Sequence, residues 1–211
     1  MTPRANRVVG AVRRALGRAI GSSVPQRPPI LPARTARTAE GEIELLLREV
    51  RTLSGVAARV PLVEIETSLA ALVEAEGVGR ATLWSTPRIA ELRLAERLSA
   101  LGVDLVPGTA GKADLARCDL GVTEVDFALP ETGTIGLLSS REKPRGVSLL
   151  PRVHLAVMGP EALRADLHQV FAEARSHHYL ILVGGPSRTA DIELTVTLGV
   201  HGPQALHLWV V

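Results

Sequence analysis

From residue 56 to the C-terminus, short apolar runs alternate with amphipathic segments of helical length, and few folds accommodate that order. VAARVPLVEI (56–65), RATLWS (80–85), VDLVPG (103–108), RVHLAVMG (152–159), YLILVGG (179–185) and ALHLWVV (205–211) read as strands, those over 152–159 and 179–185 as buried ones. The spacing predicts helices over 67–75, closed by Gly77, over 87–100, where Pro87 suits a first turn, and over 160–174, with a short helical turn over 112–117. Strand–helix alternation predicts an α/β domain with a largely parallel sheet. The rhythm changes in VTEVDFALPETGTIGLLSS (122–140): Val125, Phe127 and Leu129 alternate with polar or small neighbours, PETG turns, and Ile135 and Leu137 resume the alternation. That segment predicts an added antiparallel β-hairpin.

The first 39 residues have a different character. They hold eight arginines and no Asp or Glu, which leaves sixteen basic and twenty-two acidic residues, a formal charge of −6, for the remainder. Val8, Val9, Val12, Leu16 and Ile20 recur at helical spacing over 6–20 with arginines opposite, and GSSVPQRPPILPAR then reads as an extended linker. Ile43, Leu46, Leu47 and Val50 predict a further helix over 40–53. The expected division is a basic N-terminal helix and proline-rich linker over 1–39 and one α/β domain over 40–211.

Composition narrows the function classes. Cys118 is the single cysteine, so no internal disulfide forms and an iron–sulfur cluster, which takes about four thiolates, is not expected on this chain. No apolar run approaches the roughly 20 residues of a membrane span. These features predict a cytoplasmic protein. Aromatic residues number five, too few to offer the stacking platforms of a single-strand nucleic-acid binder. The basic arm alone would suit an anionic surface.

Two polar segments stand out as candidate sites. GGPSRTADIE (184–193) follows an apolar strand, at the strand end where ligands gather in open α/β sheets. Its glycines admit a close approach, and the N–H groups of Ser187, Arg188 and Thr189 suit an anion. The same residues equally suit a capped turn, with Asp191 and Glu193 near a helix start. In PETG, Glu131 is either a solvated turn residue or a base or nucleophile at the sheet's rim. Glu124 and Asp126 share one face and form a possible acid–base pair. The histidines lack metal-site spacing; His154 fits a hydrogen-bonded core position, and His201 lies in a glycine-rich turn.

Taken together, GVTEVDFALPETGTIGLLS, SLLPRVHLAVMG and GGPSRTADIELTVTLGVHGPQALHLWVV resemble, in the same order, the signature segments of the LUD-domain family, and the VVGAVRRALGR helix resembles that of its small, cluster-free members. The resemblance implies a Rossmann-like fold similar to the sugar-phosphate isomerases and CoA-transferases. It implies iron–sulfur lactate utilization subunits as partners, which oxidise L-lactate to pyruvate, with this chain an accessory or regulatory subunit that binds no cofactor itself. The site residues it carries over are Thr123, Asp126, Glu131, Thr132, Gly133 and Thr134, then His154, then Gly185, Ser187, Arg188, Thr189, Asp191, Glu193, His201 and Gly202. Fold analogy with CoA-transferases adds an alternative: a stand-alone enzyme on a small phosphorylated or CoA-linked acid, with Glu131 as nucleophile or base.

Overall fold

The structure is a computed structural model and describes residues 3–18, 26, 35–189, 197–199 and 201–211. It divides into two units, Met1–Pro32 and Ala33–Val211. In the first, helix α1 (Pro3–Ala15) carries Arg13 and Arg14 in its last turn, where cations complement the helix dipole. Its Val8, Val9 and Val12 are exposed, as is Leu16 just beyond it. The predicted helix thus starts earlier than residue 6 and stops at Ala15, and Ile20 lies outside the described residues.

The second unit opens with α2 (Ala39–Thr52). Thr38 caps it by accepting from the Gly41 N–H at 3.2 Å, and Ile43, Leu46, Leu47 and Val50 form its buried stripe. The chain then runs β1 (Val56–Arg59), α3 (Ile65–Glu76), β2 (Arg80–Leu83), α4 (Pro87–Glu91), α5 (Leu94–Ala100), β3 (Asp104–Pro107), α6 (Lys112–Leu115) and β4 (Leu120–Glu124). After these come β5 (Phe127–Leu129), β6 (Thr134–Leu138), α7 (Gly146–Leu149), β7 (Val153–Met158), α8 (Leu167–Ala174) and β8 (Leu180–Val183). Two-residue strands β9 (Arg188–Thr189) and β10 (Thr197–Leu198) precede β11 (Ala205–Val210).

Six strands form a parallel sheet in the order β1-β11-β7-β4-β2-β3. Every residue of β7 is buried, as a central parallel strand covered on both faces requires. A second, antiparallel sheet has the order β5-β6-β8, and β9 pairs with β10. The expected α/β class, the largely parallel sheet and the added hairpin are all present. Among the described residues no helix is long and apolar enough to cross a membrane.

Several element boundaries differ from the sequence reading, each for a physical reason. β1 ends early: Val60 donates to Val210 O at 2.8 Å, and after Pro61 the chain turns as a 3₁₀ helix over Leu62–Glu64. Residues 87–100 form two helices, broken at Arg93 with φ 53°. The break lets Leu92 and Leu94, which an unbroken helix would point apart, both enter the core. The segment 122–140 is shared: β4 belongs to the parallel sheet, and the hairpin starts at Phe127. In place of a helix over 160–174 there is a 3₁₀ turn (Pro160–Ala162), a bridge from Leu163 to Ala128, and α8, which Asp166 caps at Gln169 N. β8 is an edge strand with Leu182 exposed, not a buried one.

Candidate functional site

β7 sets His154 in the middle of the sheet, level with Gly121 of β4 and Leu206 of β11. Its side chain is 1% exposed, and Nε2 lies 2.8 Å from the hydroxyl of Thr123. Burial pushes the imidazole down to about 4, so it is neutral at pH 7. Gly121, on the same face, admits α7: a Cβ there would stand 1.9 Å from the carbonyl oxygen of Val147. That close approach brings Ser148 and Leu149 to the cleft that His154 lines.

The segment after β8 forms the cleft's wall. Gly185 has φ 96°, and a Cβ on it would meet Leu53 O at 2.6 Å, so only glycine fits. Arg188 reaches back to α2's end, donating to Leu53 O and to Ser54 Oγ. The backbone of Ser187 donates to Pro203 O and accepts from Gly199 N, each at 2.9 Å. Gly202 packs where a Cβ would be 3.1 Å from Ser187 Cβ. These contacts lay Gly199 and residues 201–203 against GGPSR. Thr189 lies in β9, opposite Thr197. Asp191 and Glu193 lie outside the described residues.

The resulting cleft has a volume of about 370 Å³ and is lined by His154, Ser187, Arg188, His201 and Gly202, among others. Leu149 and Leu182 give it an exposed apolar rim. An arginine, two imidazoles and a hydroxyl around an apolar floor suit a small anionic or hydrogen-bonding ligand.

The first signature segment contributes differently. Thr123 reaches the cleft only through His154. Pro130–Thr132 is a 3₁₀ turn, and Gly133 with φ 59° packs the hairpin tip on α2, where a Cβ would stand 2.8 Å from the Glu49 carbonyl carbon. Thr132 donates to Thr134 Oγ1 at 2.9 Å, and that oxygen lies 3.9 Å from where a Gly184 Cβ would be. The tip therefore adjoins the start of the loop. Glu131 is exposed on this turn and is not among the residues lining the cleft. Asp126 accepts from Leu138 N at 2.8 Å and from Lys143 Nζ at 2.6 Å, while Glu124 pairs with Arg88 at 3.3 Å. The two carboxylates hold separate cations, not each other's proton.

The sequence reading gave α7 no element and Leu206 no part in a site. The only signal for either was Gly121 inside an apolar strand, a mark of close backbone approach. His207 also went unremarked; it pairs with Glu76 at 2.8 Å, on the face of β11 opposite Leu206.

Comparison with known proteins bears on this arrangement. A family model for the LUD domain matches residues 108–211. The lactate utilization protein C of Shouchella clausii is 33% identical over 150 residues, and that of Halalkalibacterium halodurans 32% over 152. These alignments cover 66% of this chain and 66% and 65% of the two relatives, so the chain matches just under two thirds of their length. A crystal structure of a DUF162 family protein from Deinococcus radiodurans shares the fold with TM-score 0.58 at 19% identity, covering 83% of this chain and 99% of that one. The matched segments are those that build the cleft, and over residues 108–211 the chain matches the LUD domain.

Proposed function

We propose that this chain is an accessory or regulatory subunit of a cytoplasmic lactate utilization system, whose iron–sulfur partner proteins oxidise L-lactate to pyruvate. One observation carries the reading: the LUD segments, separated by tens of residues in sequence, meet around a single cleft at His154, Ser187–Arg188 and His201–Gly202. Relatives named lactate utilization protein C supply the process. The chain's one cysteine, Cys118, is buried with its thiol 3.5 Å from Asp114 O, and a cluster takes about four thiolates, so the clusters belong to the partners. The cleft holds a small anion for which Arg188 and His201 provide the charge and donors.

The test is to purify the tagged chain from its native host grown on L-lactate, with the visible spectrum and lactate-dependent dye reduction of the eluate recorded. A brown, active eluate is expected. With Ser187→Ala and His201→Ala combined, the partners are expected still to co-elute while activity falls about tenfold, the scale of one lost charged hydrogen bond. A colourless chain eluting alone would overturn the reading. The alternative enzyme asks Glu131 to face a ligand, and its position outside the cleft lining gives that reading less support.

A further inference from the structure

A second cavity, of about 730 Å³, lies at the carboxyl edge of the parallel sheet, built largely by residues before the family match begins. β2 is where the strand order turns: the chain steps outward to β3, then returns past β2 to β4. In open α/β sheets such a turn opens a crevice beyond the strand ends, where ligands bind. The walls here are mainly apolar, with Trp84, Ile89, Leu105 and Pro107 among them, and the segment 141–144 forms the roof.

The roof is fastened at three points. Ser85 N donates to Glu142 O at 3.3 Å, Trp84 Nε1 donates to Pro144 O at 2.9 Å, and Lys143 Nζ donates to Asp126 at 2.6 Å. Lys143 also stands 5.5 Å from the centre of the Trp84 ring. The cavity is thus preformed.

Two polar groups of the lining are left over. The hydroxyl of Thr86, on a residue only 5% exposed, has no hydrogen-bond partner among the described residues. Arg141 is exposed on the roof; it makes no hydrogen bond or close ion pair with a described residue and acts on the adjacent Glu142 carboxylate only through space. Of the lining carboxylates, Glu142 accepts from Ser140 Oγ at 2.9 Å, and Glu96 sits on α5, a different element from Arg141. Arg141 is the one cation of the lining among the described residues, so a negative end of a ligand would meet it at the roof. We propose that this cavity binds a small molecule with an apolar body and one anionic end, which pairs with Arg141. The shared chemistry covers carboxylates and phosphates alike.

The experiment uses the full chain and 8-anilinonaphthalene-1-sulfonate, an apolar body with one anionic group, titrated by fluorescence. Saturable one-to-one binding is expected. Arg141→Glu, an exposed change that leaves the core alone, is expected to weaken it about tenfold, and Ala90→Phe, which fills the cavity from an exposed position, to abolish it. Competition by benzoate against phenyl phosphate then separates the carboxylate and phosphate classes. Absence of saturable binding, or binding that neither change weakens, would overturn the proposal. So would an equal loss on Leu182→Glu, which would place the probe in the other cleft.

Discussion

His154 shows how one residue serves both core and site. Its ring is wholly inside the sheet, bonded to Thr123, yet one edge faces the cleft. The folded chain refuses a proton there until about pH 4, whereas the unfolded chain takes it up near 6.5. The unfolded state thus binds more protons between those values, and stability present above pH 6.5 is lost as pH falls. The loss from this residue is expected to be about 2 kcal/mol between pH 7 and 5. Urea denaturation at both pH values should show His154→Gln, which keeps a polar partner for Thr123, with a correspondingly flatter dependence. The sequence made His154 legible as a hydrogen-bonded core histidine, because it interrupts an apolar strand. Asp126 was harder to read. Whether a carboxylate meets a ligand or a distant ammonium depends on where residue 143 returns in space, and no local pattern encodes that.

At the scale of elements, strands were legible where burial is two-sided. RVHLAVMG and ALHLWVV are nearly continuous apolar runs, and both became inner strands of the parallel sheet. The break at Arg93 was not, since Leu92 and Leu94 are pulled inward by packing that overrides the helical period. Nor was the pairing of β6 with β8, a contact between residues more than forty apart in the chain. The hairpin tip illustrates the same dependence. Its glycine turn was readable, but its seat on α2 was not. Gly133→Ala would place a methyl against the Glu49 backbone and force a left-handed conformation on a residue with a Cβ. A loss of about 1–3 kcal/mol is expected, read as a lower urea midpoint with unchanged slope.

For the whole molecule, charge and core are distributed unequally. Residues 1–39 hold eight arginines while the remainder has a formal charge of −6, and the buried apolar cluster begins at Ile43 and runs to Val210. A chain starting at Ala33 is expected to unfold at the same temperature as the full one, within about 1–2 °C, by calorimetry. A clear drop would mean that the arm contributes to the core's stability. The two cavities also divide the molecule. One is built from the LUD segments, the other mainly from β2, β3 and the helices between them, and Asp126 of the first group fastens the roof of the second.

That fastening has a chemical consequence. The chain has only two lysines, and they differ sharply: Lys112 is exposed, whereas the amine of Lys143 is held between Asp126 and the indole of Trp84. An acylating reagent reacts with a free, neutral amine, so Lys112 should be modified first and the half-buried Lys143 more slowly, as its pair with Asp126 opens. The ratio of the two labelled peptides, read by mass spectrometry, is then a clock for that opening. Asp126→Asn should speed the acylation of Lys143 several-fold and leave that of Lys112 as it was.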